Sequence, residues 1–487
     1  MKTKSILPLL ILFLFFSCTD KKNSALESEI NAIETNLRPQ VQINGEPAVT
    51  YEITARMEHY KVPGISIAVV KDGVIRWSKG YGIANTNDST KVDVNTLFQA
   101  GSISKPIAAL AALKLVEDGK VELDNDVNAY LQDWKVPENE FTETEKVTLR
   151  GLLTHTAGMT VHGFPGYMQK DTFPTIVAVL DGQGNTDAIR VDTIPGSIWR
   201  YSGGGFTVME KLVEDVTGLP LEKYMAEHIL PQMGMPHSTF EQPLTEAHIP
   251  GASAAYNRNG EIIEGLWHNY PEQAAAGLWT TPSDLANYCI HVQNILSGKE
   301  KGVLSKETVE KMLTKHKNDW GLGVGLRGEG DSLIFGHGGK NEGFSNNLIS
   351  FAHQGDAVII MTNGDNGDAL VNEIMNSILA YYGWGISNPK VIDVIKMPVE
   401  QLDKLTGKYK LNFQVPEIGD YFIEIGIKDS SLMVNDLFTG QTNRLYPIQE
   451  LRFIEIETLQ ELQFQISADS AIIGLLYNNQ YPFSKID

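Results

Sequence analysis

The amino-acid sequence predicts a mixed α/β protein of the α+β type. We expect an antiparallel sheet flanked by helices, with a mostly helical inserted subdomain, followed by a small all-β barrel or sandwich domain. Short strand patterns joined by hairpin-length connections predict the antiparallel sheet. A long stretch rich in Gly and Pro, from roughly 123 to 286, predicts the insertion. Alternation of apolar and polar residues over 395–487 predicts the all-β domain.

Length and composition limit the classes of protein that the chain can belong to. Its 487 residues suggest two or three domains at about 150 residues each. A hydrophobic share of 42% and a charged share of 21% exclude wholesale disorder and a multi-span membrane protein. The formal net charge of -20 would repel phosphate backbones, so we expect no nucleic-acid partner.

The first 17 residues have the pattern of a signal peptide. Lys2 and Lys4 precede the apolar run Ile6–Phe16, which is shorter than the roughly 20 residues that a membrane-spanning helix needs. Ser17-Cys18 follows directly and resembles a bacterial lipobox, in which the cysteine carries lipid. The alternative is an ordinary signal peptide with an incidental cysteine.

These features predict an exported protein anchored by lipid at Cys18 to a bacterial membrane, in the periplasm or at the cell surface. We expect 1–17 to be a lipoprotein signal peptide and the polar segment 18–46 to be a tether that holds one short helix. With Cys18 lipidated, Cys289 has no disulfide partner and is interpreted as a small buried apolar residue.

Beyond the tether, the predicted domains are 47–385, which is expected to carry the chemistry, and 395–487, with a Gly/Pro boundary from Gly383 to Pro389 between them. In chain order the patterns predict a helix at 49–60, strands at 65–70 and 74–78, a helix at 103–118, strands at 320–326, 332–336, 346–351 and 357–362, and a helix at 369–381. Asp72-Gly73 predicts the turn of the first hairpin.

The C-terminal segment 395–487 predicts six to eight short antiparallel strands and resembles the lipocalin-like tails of some serine hydrolases. It contains no histidine, and its acidic residues fall mostly on the alternating polar face. A solvated sheet face is therefore favoured over a ligand-binding cup.

The segment most indicative of chemistry is Gly101-Ser102-Ile103-Ser104-Lys105-Pro106, at the predicted start of a helix. Residues three apart share one helix face, so Ser102 and Lys105 can meet. A serine hydroxyl needs a base to remove its proton, and a lysine can serve if burial or nearby cations lower its pKa. Helix N-terminal amides next to Ser102 could stabilise an oxyanion. A Ser-x-x-Lys pattern in isolation is usually incidental.

Four companion segments in matching order make this pattern specific. With them the chain resembles the serine β-lactamase and penicillin-binding-protein-like superfamily, in its class C β-lactamase, DD-peptidase and esterase branch, over roughly Thr50 to Tyr382. The companions are Leu152-Leu153-Thr154-His155-Thr156-Ala157-Gly158-Met159, Pro195-Gly196 with Tyr201-Ser202-Gly203, Gly277-Leu278-Trp279-Thr280-Thr281-Pro282-Ser283-Asp284-Leu285, and His337-Gly338-Gly339-Lys340-Asn341-Glu342-Gly343-Phe344.

The resemblance implies a role for each matching residue. Ser102 would be the acylated nucleophile, Lys105 its partner in proton transfer, and Tyr201 the group that passes the proton to the leaving group. A nearby cation is expected to make the Tyr201 phenol more acidic. His337-Gly338-Gly339 would form the strand along which a substrate lies. The backbone amides of Ser102 and Lys340 would form the oxyanion hole.

Two residues depart from the family pattern. Gly203 stands where an asparagine usually contacts the substrate amide, and His337 stands where a lysine usually binds a substrate carboxylate. We expect the charge at His337 to depend on pH. A neutral ester or a differently anchored peptide is therefore as plausible a substrate as a penicillin.

Other classes of site find less support. The chain has no Gly-x-Ser-x-Gly nucleophile elbow, and the Gly-x-Gly-x-x-Gly match at 323–328 continues into a strand and not a helix. No His/Cys spacing indicates a metal, and we expect no cofactor. His155 is interpreted as structural and not as a base.

The sequence thus predicts a lipid-anchored serine hydrolase that forms an acyl-enzyme on Ser102 with a small-molecule or peptide substrate, cleaving an ester, amide or peptide. The alternative is a catalytically inactive relative that binds cell-wall peptide or a protein partner.

Overall fold

A computed structural model of the chain describes residues 24–386, 389–415, 419–438, 440–457 and 459–486. The predicted signal peptide and Cys18 lie outside the described residues. The chain divides into two compact units: Met57–Val371 forms the larger, and the described residues up to Arg56 together with those from Asn372 onward form the smaller. The domain boundaries expected from the sequence stay predictions.

The structure contains nineteen strands within the described residues. They are β1 (Val41–Ile43), β2 (Gly64–Lys71), β3 (Val74–Asn85), β4 (Thr90–Lys91), β5 (Phe98–Gln99), β6 (Trp279–Thr280), β7 (Gly325–Arg327), β8 (Ile334–Asn341), β9 (Phe344–Phe351), β10 (Ala357–Thr362), β11 (Lys390–Ile392), β12 (Gly407–Leu411), β13 (Phe422–Lys428), β14 (Ser431–Asp436), β15 (Thr442–Gln449), β16 (Arg452–Glu455), β17 (Glu461–Ile466), β18 (Ile472–Tyr477) and β19 (Tyr481–Lys485).

The helices of the same residues are α1 (24–34), α2 (Ile53–Tyr60), α3 (Ser104–Glu117), α4 (Leu149–Leu153), α5 (Ile176–Leu180), α6 (Gly203–Thr217), α7 (Leu221–Tyr224), α8 (Pro282–Leu296), α9 (Lys306–Met312), α10 (Gly367–Tyr382) and α11 (Val399–Asp403). None of the described helices combines the length and the apolar character needed to cross a membrane.

The larger unit contains the predicted antiparallel sheet, seven strands in the order β4-β3-β2-β10-β9-β8-β7. Asp72 and Gly73 both have positive φ, 55° and 78°, as a tight two-residue hairpin turn between β2 and β3 requires. Helix α8 packs against β2, β3 and β10, and Cys289 on this helix is fully buried, as expected. The antiparallel sheet with helices and the inserted helical region is confirmed.

The strand expected over 320–326 is wrong for most of its length, because only Gly325–Arg327 pairs with β8. Upstream, the backbone turns at Gly323, whose φ is +91°. The N–H of Leu322 donates to the Met312 carbonyl and that of Gly323 to the Leu153 carbonyl, so neither joins a strand ladder.

The smaller unit contains a closed antiparallel barrel of eight strands, β12 to β19. Of the two expected forms, the barrel is therefore the one that occurs. Its centre is filled by apolar side chains, the largest of which are Tyr409, Phe453, Phe464 and Phe483. In the same unit, the segment expected to be a tether contains α1 and also β1, which pairs in parallel with β11.

Candidate active site

Ser102 and Lys105 meet at the start of α3. Ser102 lies in a 3-10 turn, Gly101–Ile103, that leads directly into the helix, and Lys105 is the second helical residue. The Nζ of Lys105 lies 3.0 Å from the Oγ of Ser102. The two predicted side chains are therefore within hydrogen-bonding distance, as the spacing of three residues requires.

Lys105 is buried among apolar and aromatic groups. Its side chain is 2% exposed, and its Nζ donates to the Ala275 carbonyl at 2.8 Å. The Nζ also lies 5.1 Å from the centre of the Tyr201 ring and 5.7 Å from that of Phe206. Burial lowers the pKa of Lys105 from 10.5 to about 7, because water no longer solvates the ammonium form. A substantial fraction of this lysine is a neutral amine at neutral pH.

The Tyr201 hydroxyl completes the group, because it lies 3.5 Å from the Nε2 of His337 and is close enough to the Ser102 side chain for that side chain to influence its pKa. The expectation of a more acidic phenol is wrong. Burial raises the pKa of Tyr201 well above its ordinary value of 10. Lys105 faces the ring of Tyr201 and is itself partly uncharged, so it does not offset the loss of solvation. Tyr201 remains a phenol that can donate a proton.

His337 lies on β8 beside Tyr201, with its Nδ1 2.5 Å from the carbonyl oxygen of Gly338. A carbonyl can only accept, so Nδ1 carries the proton and Nε2 is free to accept. Burial and the nearby Lys105 lower the pKa of His337 from 6.5 to about 3. The expected pH-dependent charge at this position is therefore wrong for the physiological range, in which the ring stays neutral.

Strand β8 passes directly over the serine turn. A Cβ on Gly339 would lie 1.9 Å from the Ala100 carbonyl oxygen, and one on Gly101 would lie 2.5 Å from the backbone nitrogen of Lys340. A Cβ on Gly338 would meet nothing closer than 3.9 Å. Gly101 and Gly339 thus allow two backbones to touch, whereas Gly338 does not serve this purpose.

The predictions that the Lys340 backbone amide forms part of the oxyanion hole and that Gly203 lies at the substrate stay predictions, and the structure shows what surrounds each residue. The Nζ of Lys340 donates to Ser345 Oγ at 2.6 Å and lies 3.4 Å from an Asp365 carboxylate oxygen. The side-chain ammonium is therefore engaged by these two residues. Gly203 begins α6, and its N–H donates to the His162 carbonyl at 2.9 Å. A Cβ there would lie 3.0 Å from the Phe164 ring, so an asparagine would be crowded.

Sequence reasoning missed several residues that hold the site. The Ala275 carbonyl lies in a π-helical turn, Gln273–Gly277, and the N–H of Ala274 in this turn donates to the buried carboxyl of Glu210 at 2.7 Å. Trp320 packs edge-on against Tyr201, with ring centres 5.9 Å apart. No signal in the sequence predicts these contacts, because each joins elements that are far apart in the chain.

Comparison with known proteins agrees with this arrangement. A family model described as Beta-lactamase matches residues 51–379. The chain belongs to the β-lactamase family. It is a serine hydrolase of the group that includes penicillin-binding-protein-like proteins and D-alanyl-D-alanine carboxypeptidases.

Two similar proteins each match more than half of this chain. A protein of Escherichia coli O157:H7, named as a D-alanyl-D-alanine carboxypeptidase, is 28% identical over 309 residues, 56% of this chain and 69% of its own. The penicillin-binding protein PbpX, so named in Bacillus subtilis (strain 168), is 25% identical over 312 residues, 64% of this chain and 73% of its own.

Among solved structures, the octameric penicillin-binding protein homologue from Pyrococcus abyssi shares the fold. Its TM-score is 0.58 at 22% identity, and the match covers 89% of this chain and 98% of that one.

Proposed function

We propose that this serine hydrolase works through an acyl-enzyme on Ser102, with Lys105 as the base that activates it. The observation that carries the proposal is the 3.0 Å approach of the Lys105 Nζ to the Ser102 Oγ, at a lysine whose pKa is about 7. A base with a pKa near the working pH is best able to accept and return a proton. Among the described residues, burial alone shifts the pKa of Lys105, and its Nζ contacts the uncharged Ala275 carbonyl, so no carboxylate keeps it protonated.

In the proposed first step, the Ser102 Oγ attacks the substrate carbonyl carbon while its proton passes to the Lys105 Nζ. The backbone amides of Ser102 and Lys340 stabilise the resulting oxyanion. The Tyr201 hydroxyl gives its proton to the leaving group and regains one from Lys105 as the carbon–leaving-group bond breaks. Water then attacks the acyl carbon while its proton passes to the neutral Lys105 Nζ, and the bond from that carbon to the Ser102 Oγ breaks as Lys105 returns the proton to Oγ and the acid departs. Each proton taken is returned, so the proposed cycle requires no cofactor.

We propose an ester, amide or peptide as substrate, without a need for a free carboxylate beside the cleaved bond. Three features support this. His337 is neutral, Lys340 is engaged by Ser345 and Asp365, and Gly203 carries no side-chain amide. The relative named as a D-alanyl-D-alanine carboxypeptidase makes a D-alanyl peptide the first amide to compare.

A labelling experiment tests the mechanism. Purified protein is treated with a reporter-bearing fluorophosphonate and with a reporter-bearing penicillin, and the adduct is located by peptide mass spectrometry. We expect an adduct on Ser102 in the wild type and none in Ser102→Ala. Absence of a Ser102 adduct with both probes would mean that the acyl-enzyme proposal is wrong.

The substrate class is tested by turnover. Rates for a p-nitrophenyl ester, a cephalosporin and a D-Ala-D-Ala peptide are compared in the wild type and in His337→Lys, which restores a permanent cation. We expect the ester to be the best wild-type substrate, and the substitution to favour the peptide relative to the ester by about ten-fold. A wild-type preference for the carboxylate-bearing peptide would contradict this substrate class.

We also propose that the chain is exported and lipid-anchored through Cys18, with the membrane contacted only through that anchor. The support is the order of charged, apolar and small residues before Cys18. Expression with labelled palmitate, in wild type and Cys18→Ser, tests it. Label in the wild type alone is expected, and label in neither protein would contradict the anchor.

A further inference from the structure

A single residue outside the three proposed catalytic side chains holds the Tyr201 backbone on both sides. The carbonyl of His155 accepts the N–H of Arg200 at 2.9 Å, and its ring Nδ1 accepts the N–H of Ser202 at 3.1 Å. These N–H groups belong to the residues immediately before and after Tyr201. The His155 ring also packs on the Tyr201 ring, with centres 4.3 Å apart and planes 35° apart.

We propose that His155 is a positioning residue for Tyr201, which fixes the phenol against Ser102 by binding the backbone N–H groups of the residues on either side of it, Arg200 and Ser202. The inference rests on the proposed acyl-transfer function. It assigns to the Leu-Leu-Thr-His-Thr-Ala-Gly segment a task in the reaction, although His155 touches no reacting atom.

The backbone of His155 indicates that its placement is demanding. Its φ is +57°, in the left-handed region that side-chain-bearing residues seldom adopt. Such a conformation costs free energy and persists where the surroundings determine it, often next to functional sites. Here that conformation lets one residue present its carbonyl to the Arg200 N–H and its ring nitrogen to the Ser202 N–H.

The protonation state of the ring suits this role. Because Nδ1 accepts from the Ser202 N–H, the proton of the neutral ring lies on Nε2. His155 is 3% exposed, and burial together with Lys105, His337 and His162 holds its pKa well below 6.5. A second proton would have to lie on Nδ1 and would remove the acceptor. The ring Nδ1 therefore remains able to accept the hydrogen bond from the Ser202 N–H throughout the physiological pH range.

Two substitutions separate the hydrogen bond from the backbone conformation. Both glycine and asparagine tolerate a positive φ, but only the Oδ1 of asparagine can take the place of the histidine Nδ1 as an acceptor. His155→Gly and His155→Asn thus both lose the ring and differ in the contact to Ser202.

The readout is hydrolysis of a p-nitrophenyl ester and the rate of fluorophosphonate labelling at Ser102. We expect His155→Gly to lower kcat by about 30-fold or more with KM nearly unchanged. Displacing a catalytic group by about 1 Å lowers the rate by about 10²-fold. His155→Asn should recover kcat to within about five-fold of wild type. Thermal unfolding establishes that each variant is folded.

Equal kcat in the two folded variants would overturn the proposal, whether both are active or both inactive. If His155→Gly does not fold, His155→Asn decides alone, because a folded Asn variant with a 30-fold deficit would overturn it as well. Failure of the wild type to label at Ser102 would instead overturn the proposed function. The two failures are thus distinguishable.

Discussion

Lys105 determines the pH range in which the proposed reaction can run. Only its neutral form can take the Ser102 proton, and its pKa is about 7. We expect kcat/KM for a p-nitrophenyl ester to rise about ten-fold per pH unit below 7 and to level off above it. Lys105→Arg should lose at least about 10²-fold, because a guanidinium stays charged.

The matched control for this prediction is Lys114→Met, which removes a lysine of the same helix paired with Asp118 at the surface. Its profile should follow that of the wild type. A rate that stays flat between pH 5.5 and 8.5 would be inconsistent with Lys105 as the base.

At the scale of single residues, the sequence predicted the members of the site but not their electrostatics. Ser102, Lys105, Tyr201 and His337 do come together. The directions of the pKa shifts at Tyr201 and His337 were not predictable, because each depends on how much surrounding protein replaces water. The two contacts of His155 to the N–H groups of Arg200 and Ser202 were also not predictable, since they require the folded loop.

At the scale of elements, the contact of β8 with the serine turn makes two neighbouring glycines unequal. Gly339→Ala places a methyl group on the Ala100 carbonyl, so we expect a loss of at least about 1–3 kcal/mol in the free energy of unfolding and slow labelling of Ser102. Gly338→Ala has space and should change both quantities little. Urea unfolding and labelling kinetics measure the pair. Equal effects of the two substitutions would show that close packing of β8 on the serine turn does not matter for stability or labelling.

The π-helical turn Gln273–Gly277 makes a second element-scale prediction. Glu210 accepts the Ala274 N–H, and burial and nearby Glu214 raise the pKa of its carboxyl, so the side chain is readily neutral. Glu210→Gln keeps an acceptor and should resemble wild type. Glu210→Leu leaves the buried Ala274 N–H unpaired, so we expect it to lower the free energy of unfolding by about 1–3 kcal/mol. It should also lower kcat, because the Ala275 carbonyl that accepts from Lys105 lies in the same turn and would be less firmly placed. Similar kcat in both variants would contradict this link.

Strand patterns in the sequence predicted the sheet well, because its central strands are short runs that are buried over nearly their whole length. Strand β10 lies where a short apolar run places it, at Ala357–Thr362, and all six of its residues are buried. The pairing of β1 with β11 gave no local signal, since parallel strands far apart in the chain leave no pattern in either segment. The strand was wrongly predicted over Trp320–Leu322 because a short apolar segment gives the same sequence pattern whether or not its backbone pairs with a neighbouring strand.

For the whole molecule, the larger unit and the barrel each have a hydrophobic core of their own. The stability of the barrel and the reactivity of Ser102 can therefore be changed separately. Phe453 is fully buried in the barrel core, whereas Ser102 and Lys105 belong to the larger unit. We expect Phe453→Ala to cost about 3–5 kcal/mol in the unfolding of the barrel. Below that transition, Ser102 labelling should stay within about two-fold of wild type. Calorimetry and labelling kinetics measure the two effects.

The control for the barrel prediction is Val391→Ala, at a valine of the same unit that is 61% exposed, and it should change neither quantity appreciably. A large fall in the labelling rate of folded Phe453→Ala would show that the two cores are coupled.

The pairing of β1 with β11 also bears on how the chain is made. Asn44 donates to Asp393 across 349 positions of sequence, so a ribosome completes β1 long before its strand partner exists. During that interval Val41 and Ile43, which are buried in the finished protein, have nothing to cover them. The smaller unit therefore cannot be completed in the order of translation, and its early segment stays without its strand partner until β11 has been made.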